Sequence, residues 1–296
     1  MKKLIIFTLL ILLSLASYVV GKNSIQTNTI PRKELTNWQK DSIMAERLLQ
    51  KAAQQPRTTN FMIFFARQLL QIPYVGHTLD RSDEEGMVIN LRELDCTTYV
   101  ESVLALSRCA HEGKTSFHDY VDMLKKIRYR QGELSYENRL HYWQWWVEDN
   151  ELMGFVKQVD GPNPPFTAVQ KLKINYMSTF YESYDMLRYH PERVQALKVI
   201  EDSTNGKLVR YIPNNEIKNS QLLRSTIHDG DILALVTSKK ELDTSHLGIA
   251  VWHKDGLHLL NASMWRKKVI EEPLTLYQYM MRKPSRLGIR VARPVF

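Results

Sequence analysis

Apolar residues recur at helical spacing through the first two thirds of the chain and alternate with polar residues toward its carboxyl end. Helices are predicted twice within residues 32–71, once directly after Asp95 and once from Phe117 to Ile127. A further helix is predicted from Pro191 to Ile200. Strands are predicted at Ile232–Val236, Leu247–Trp252, Leu257–Ala262 and Leu287–Val295. Helices first and an antiparallel sheet afterwards predict an α+β fold.

Local signals refine this outline. Thr59 or Asn60 is expected to cap the second helix, because a short polar side chain can bond the free amides of its first turn. Asp255 and Gly256 predict a hairpin turn between the second and third of the four strands. A short extra strand is predicted at Met87–Leu91, ahead of the third helix.

Lys2 and Lys3 precede an uncharged apolar run, Leu4–Val20, which Gly21 and a polar stretch follow. This arrangement predicts a secretory signal peptide over residues 1–21. The run is long for a signal peptide, so an uncleaved membrane anchor stays open, whereas the flanking polar residues disfavour a buried core helix. We therefore expect an exported protein, periplasmic or secreted in a bacterium, with no stable membrane insertion once the leader is removed.

Composition changes this picture little. Of the 296 residues, 40 are Lys or Arg and 32 are Asp or Glu, which gives a net charge of +8. Because the basic residues are spread along the chain and form no block, no nucleic-acid partner is predicted. A basic protein suits a polyanionic surrounding such as a cell envelope.

The two cysteines, Cys96 and Cys109, lie thirteen residues apart on the third predicted helix. At 1.5 Å rise per residue this is about 20 Å, and a disulfide needs α-carbons within about 7 Å. Cys96 is therefore expected to be a free thiol, unless the helix is wrongly predicted. Asp95 would cap this helix and leave Cys96 among its free amides, which favours a thiolate nucleophile. The alternative is that Cys96 is a small buried apolar residue.

His246 begins the strand 245–252 and is a candidate base for such a nucleophile, although a lone histidine is more often structural. Asn261 could orient its ring, as in a Cys-His-Asn triad. A tight hairpin at residues 255 and 256 would pair Asn261 with Ala250, on the correct face but about 13 Å along the strand from His246. Ser263 would be closer, so spacing does not choose between the two.

Other groupings are weaker. His253 and His258 could share a metal, but no acidic or thiol partner has zinc-site spacing, so no metal site is predicted. The aromatic segment 136–146 could line a cleft for a sugar or peptide, or form core. The candidate cleft residues in it are Trp143, Trp145 and Trp146, with His141 and Tyr142.

The chain resembles the NlpC-type cell-wall peptidases of papain-like fold, within their N-acetylmuramoyl-L-alanine amidase-like branch. The resemblance is carried by seven segments: 72–80, 89–102, 127–150, 174–184, 228–236, 245–252 and 256–264. It implies one papain-like amidase domain over residues 22–296, with a helical extension at about 32–71 and a helical, aromatic insert at about 115–210. The papain-like core would pack the cysteine-bearing helix on an antiparallel sheet.

The resemblance also implies roles for individual residues. Cys96 becomes the nucleophile, His246 the base and then acid, and Asn261 the third member. Two departures stand beside the nucleophile: Thr97 and Thr98 replace the usual Ser-Gly, and residues 75–77 replace a Trp-Gly-Gly. Substrate and oxyanion contacts are implied at Tyr74, Asp95, Arg139, His141 and Ser245.

The implied activity is hydrolysis of the bond between N-acetylmuramic acid and L-alanine by an exported, monomeric cysteine amidase without a cofactor. Small peptidoglycan fragments, the muropeptides, are the expected partners, because no separate wall-binding domain or repeat is visible. Two alternatives stay open: a γ-D-glutamyl-diamino-acid endopeptidase, and a non-catalytic peptidoglycan-binding protein that kept the fold.

Overall fold

Residues 35–296 are described by the structure, a computed structural model, and the predicted signal peptide lies outside them. None of the helices in this range is long and apolar enough to span a membrane. The first five of its ten α-helices are α1 Asn37–Ala53, α2 Phe61–Gln68, α3 Cys96–His111, α4 Phe117–Arg128 and α5 Trp143–Leu152. The others are α6 Tyr176–Thr179, α7 Asp185–Arg188, α8 Pro191–Thr204, α9 Gln221–Thr226 and α10 Leu276–Met281.

Eight strands form one antiparallel sheet. They are β1 Val156–Val159, β2 Ala168–Lys171, β3 Leu208–Pro213, β4 Ile232–Thr237, β5 Thr244–Trp252, β6 Leu257–Ser263, β7 Lys268–Glu271 and β8 Arg286–Pro294. The strand order is β2-β3-β8-β4-β5-β6-β7, and β1 pairs with the far end of β8. The α+β class with an antiparallel sheet is thus confirmed.

Both faces of the sheet are covered, which explains why β4 is buried along its whole length. Ile232 and Ala234 face a large core shared with α1 to α5, whereas Leu233 and Leu235 face a smaller core that includes α10. The alternation follows from the two-residue repeat of a strand. A strand with apolar partners on both faces reads as an unbroken hydrophobic run, as residues 232–236 do.

The helix α3 is the element that joins the helical half to the sheet. Its N-cap is Asp95, whose carboxylate accepts a hydrogen bond from the Thr98 amide at 2.8 Å, while the Thr98 hydroxyl accepts one from the Asp95 amide at 2.9 Å. This reciprocal capping box satisfies amides that the first turn leaves free. Almost every later residue of α3 is buried, so Cys96 is held at a rigid helix start.

The long predicted elements are confirmed with small changes of boundary, and Asn60 is the cap of α2. The strand predicted at Met87–Leu91 is wrong: this stretch has no regular structure, and a single bridge instead joins Leu94 to Tyr74. The sequence analysis missed β1, β2, β3 and β7. Three of these have only four residues, too few for a two-residue repeat to stand out from the surrounding turns.

A buried ion pair fastens α4 to α3. The Arg128 Nε donates to Glu101 at 2.7 Å, a second guanidinium nitrogen donates to the Val88 carbonyl, and both side chains are 3% exposed. We predict that Glu101→Gln lowers the free energy of unfolding by about 3–5 kcal/mol, because it leaves the arginine charge buried without a partner. Denaturant unfolding measures this. The control is Glu148→Gln, which removes the exposed pair with Lys207 and is expected to cost about 1 kcal/mol or less. Equal midpoints for the two variants would contradict the prediction.

Candidate active site

A cleft of about 460 Å³ opens where the start of α3 meets the start of β5. It brings together residues from distant parts of the sequence, and it contains most of those singled out from the sequence. Of the predicted site residues it is lined by Tyr74, Asp95, Cys96, Arg139, His141, Ser245 and His246. Asn261 lies behind His246, completely buried.

Cys96 is the first residue of α3 and is half-buried in this cleft. Both it and Cys109 are free thiols, as the helix geometry predicted. Burial, followed by the neighbouring Asp95 carboxylate, raises the pKa of Cys96 to about 11, although the Leu247 amide and the Thr97 hydroxyl oppose this shift. The sequence analysis expected the helix start to stabilise a thiolate. That expectation is wrong for the free protein, since loss of water around the sulfur outweighs the local dipoles.

His246 and Asn261 are in direct contact. The ring Nε2 of His246 donates to the Asn261 Oδ1 at 3.0 Å, and the Asn261 amide nitrogen donates to the Leu259 carbonyl, which fixes the orientation of the amide. The other ring nitrogen, Nδ1, has no hydrogen-bond partner among residues 35–296. Burial lowers the pKa of His246 to about 4, so the ring is neutral near pH 7 and this nitrogen can accept a proton.

The register objection to Asn261 is removed by a longer hairpin loop. Trp252 pairs with Leu257, so the loop has four residues, 253–256, and not the two that the sequence analysis assumed. This moves β6 by two residues relative to β5 and places Asn261 opposite Gly248. Asn261 then becomes a diagonal neighbour of His246 on the same face, within side-chain reach.

Gly248 and Ser263 complete this part of the sheet. A Cβ on Gly248 would lie 2.6 Å from the Leu259 side chain and 2.9 Å from the Leu260 carbonyl, so the close approach of β6 requires glycine. Ser263 uses its hydroxyl to accept a hydrogen bond from the Arg266 amide at 3.2 Å. Of the two candidates that spacing left open, Asn261 is therefore the one bonded to His246.

Tyr74 stands beside the nucleophile candidate. Burial, with the Cys96 and Asp95 charges, raises the pKa of its hydroxyl to about 12, so Tyr74 stays protonated and can donate a hydrogen bond. A negatively charged oxygen close to Cys96 would have this hydroxyl and the backbone amide of the helix start as donors.

The other predicted contact residues differ in whether their side chains already have partners within the protein. The Asp95 carboxylate accepts the hydrogen bond of the capping box. The Ser245 side chain makes no hydrogen bond within residues 35–296. Arg139 is 6% exposed, stacks on Tyr136 and is paired with Asp80 and Glu85. These two carboxylates position its guanidinium in the cleft wall.

One ring nitrogen of His141 has no hydrogen-bond partner among residues 35–296. Its Nε2 donates to the Tyr136 carbonyl at 2.9 Å, and burial together with the Arg139 charge lowers its pKa well below the usual value. A neutral ring with this hydrogen bond leaves Nδ1 as an acceptor. His141 can therefore accept a hydrogen bond from a polar group in the cleft.

Sequence reasoning identified two further lining residues as candidates and missed several others. Trp143 and Trp146 are stacked at 5.4 Å and nearly buried, yet both reach the cleft, so the alternatives of core and cleft lining are both correct. Each has an indole nitrogen without a hydrogen-bond partner within residues 35–296. Tyr176 and Tyr184 lie in the segment 174–184 that carries part of the resemblance, but no role was assigned to them or to Asp243, and only the tertiary structure brings all three to the cleft.

Comparison with known proteins places the chain in a family. The model of the AmiA-like family, described as N-acetylmuramoyl-L-alanine amidase-like, matches residues 64–289. No curated protein matches the chain significantly.

The solved structures that are similar to the chain include the following three. An N-acetylmuramoyl-L-alanine amidase from Bacteroides uniformis is 36% identical, with a TM-score of 0.75, and the alignment covers 83% of this chain and 100% of the other. A Bacteroides fragilis protein provisionally named a xylanase is 38% identical, with a TM-score of 0.72 and coverage of 77% and 98%. A Legionella pneumophila protein shares the fold at 21% identity, with a TM-score of 0.71 and coverage of 88% and 96%.

Proposed function

Since the chain belongs to the N-acetylmuramoyl-L-alanine amidase-like family, we propose that it hydrolyses the amide bond between the lactyl group of N-acetylmuramic acid and L-alanine. The observation that carries the proposal is the cleft at the start of α3. There the Cys96 thiol and the His246 ring line the same cleft, the thiol is bonded by the backbone amide of Leu247, the residue after His246, and the neutral ring is oriented by Asn261.

The chemistry begins from a neutral pair. Because the pKa of the thiol is about 11 and that of the imidazole about 4, thiol and neutral ring coexist at rest near pH 7. The His246 Nδ1 takes the thiol proton as the sulfur attacks the lactyl carbonyl carbon. The carbonyl oxygen becomes negative, and Tyr74 with the amide of Cys96 stabilises it.

Collapse of this intermediate breaks the carbon–nitrogen bond. The protonated His246 ring gives its proton to the leaving amine of L-alanine, and the sugar acid remains bound to Cys96 as a thioester. The neutral ring then takes a proton from water, which attacks the thioester carbonyl. Return of that proton to the sulfur releases the muramic acid and restores the resting pair.

Four further features belong to the proposal. The cysteine-bearing α3 packed on an antiparallel sheet supports a papain-like, NlpC-type core for residues 22–296. The apolar run Leu4–Val20 supports export to the periplasm or medium. We further propose a monomer, and muropeptides as substrates in preference to intact wall. A cleft of about 460 Å³ with aromatic walls suits a short fragment.

The product of a defined muropeptide mixture, read by mass spectrometry, tests the proposal. The expected products are free muramic-acid sugar and a stem peptide that begins with L-alanine. A sugar that still carries L-Ala-D-Glu would identify the endopeptidase instead. Absence of cleavage, with binding retained, would favour a binding protein. Equal turnover of intact sacculi would contradict the preference for fragments.

Asn261 gives a graded prediction for the same reaction. We expect Asn261→Ala to lower kcat/KM by about 10- to 100-fold, because the ring keeps its chemistry but loses the contact that orients it. Steady-state kinetics measures this. Ser263→Ala is the matched control on the same strand face, and its kcat/KM should stay within about twofold, since the Ser263 hydroxyl accepts a hydrogen bond from the turn that follows and not from His246. A larger loss for Ser263→Ala than for Asn261→Ala would reverse the assignment.

A further inference from the structure

The loop between β5 and β6 holds three potential metal ligands. His253 follows the end of β5, Asp255 lies at the tip of the loop, and His258 is on β6. One potential ligand atom from each of the three lies within 4.8 Å of the other two. The sequence analysis found no acidic partner for the two histidines. In the structure, the four-residue loop folds Asp255 back over His258.

His258 is 2% exposed, and both of its ring nitrogens face acceptors. Its Nδ1 lies 2.9 Å from the Glu272 backbone carbonyl, which can only accept, so this nitrogen carries a proton. Its Nε2 then faces the Asp255 carboxylate at 3.1 Å with a lone pair. Two acceptors in contact require a cation between them: either a second ring proton or a metal ion.

His253 is oriented in a complementary way. Its Nε2 donates to a Glu271 carboxylate oxygen at 2.6 Å, and Glu271 is itself held by both guanidinium donors of Arg67. The Nδ1 of His253 has no hydrogen-bond partner within residues 35–296. The two imidazole rings are stacked with centroids 4.1 Å apart. A histidine that donates one nitrogen to a carboxylate or carbonyl and leaves the other free is the usual form of a metal ligand.

We propose that His253, Asp255 and His258 form a binding site for a divalent transition metal ion of the zinc class. Two imidazole nitrogens and one carboxylate oxygen are ligands that such an ion accepts, with water in the fourth position. Zinc bonds of about 2.0–2.1 Å place tetrahedral ligand atoms about 3.3 Å apart. The ligand atoms here lie within 4.8 Å of one another, so each of these distances must shorten by about 1.5 Å at most when the ion binds. Asp255 is exposed and its side chain can rotate.

The metal would act as a structural clamp rather than in catalysis. The loop lies about 20 Å along β5 from His246, too far for contact with the reacting atoms. It does join the strand that carries His246 to the strand that carries Asn261, so an ion there would stabilise their shared register. The inference is independent of the proposed amide hydrolysis, because it concerns only the opposite end of this hairpin.

Metal titration of the full chain, purified without a histidine tag and stripped by a chelator, tests the site. Co²⁺ is the spectroscopic probe and Zn²⁺ the competitor. We expect one equivalent of Co²⁺ to produce a visible ligand-field band that Zn²⁺ removes. We also expect Zn²⁺ to raise the thermal unfolding midpoint, since it binds the folded chain only.

Asp255→Asn and His253→Gln are each expected to weaken Co²⁺ affinity by at least about tenfold and to abolish the thermal shift, because each removes one ligand while leaving the buried His258 in place. His118→Gln is the control. It removes an exposed histidine paired with Asp122 on α4, and Co²⁺ binding should be unchanged. Absence of a saturable band in the wild-type chain, or equal binding by wild type and the folded double variant His253→Gln/Asp255→Asn, would overturn the proposal and leave a proton as the cation between His258 and Asp255.

Discussion

Replacing Cys96 with alanine is expected to abolish muropeptide cleavage, with kcat/KM lowered on the order of 10⁵-fold or more. The reason is chemical. His246 alone has no thiol to deprotonate, and the remaining residues can only bind the substrate and stabilise its carbonyl oxygen. Product formation followed by mass spectrometry measures the loss. If the Cys96→Ala variant kept a substantial part of the activity, the thioester route would be excluded.

The second cysteine supplies the matched control for this experiment. Cys109 lies on the same helix, α3, and is fully buried thirteen residues further on. Cys109→Ala removes the other thiol without reaching the cleft, so activity should stay within about twofold of the wild type, with some loss of stability from the small cavity. If both variants lost activity equally, the loss would reflect the packing of α3 rather than removal of a nucleophile.

Replacing His246 with glutamine is expected to lower kcat/KM by about 10³- to 10⁴-fold, because the reaction then lacks its general base and its general acid. This loss of kcat/KM is larger than it would be in an enzyme whose cysteine is already a thiolate before the substrate binds. With the pKa of Cys96 at about 11, hardly any thiolate exists near pH 7, and attack depends on proton transfer to the ring.

The pH profile of the wild type separates this role from a structural one. The pKa of His246 is lowered to about 4, so the base is lost only as the pH falls through that value. The acid limb of kcat/KM should therefore lie near pH 4, well below the value of about 6.5 for an unperturbed histidine. In His246→Gln this limb should disappear. An acid limb near pH 6.5 would contradict the neutral resting pair.

His141 offers a comparison within the same cleft. It is also a half-buried neutral histidine, but its ring is bonded to a backbone carbonyl, and we place it at the substrate and not at the reacting sulfur. His141→Gln should change KM more than kcat and leave the acid limb in place. If His141→Gln lost the acid limb of the kcat/KM profile, His141 would be the base and His246 the substrate contact.

The sequence alone determined the features that depend on neighbouring residues in the chain. The Asp95 cap and the helix behind Cys96 follow from a polar residue beside an apolar 3.6-residue repeat, and the burial of β4 follows from its unbroken apolar run. The same local geometry excluded a disulfide between Cys96 and Cys109, because a helix fixes the distance between them.

The tertiary structure alone decided what depends on segments far apart in sequence. The loop between β5 and β6 has four residues in place of the expected two, and turn signals in the sequence do not fix that length. This loop length brings Asn261 to His246 and folds Asp255 over His258. The pKa of Cys96 rose because folding buries the sulfur away from water, which the sequence around the helix start cannot reveal. Local propensity acts over a few residues, whereas strand register and desolvation are set by packing partners, and these meet only when the chain is folded.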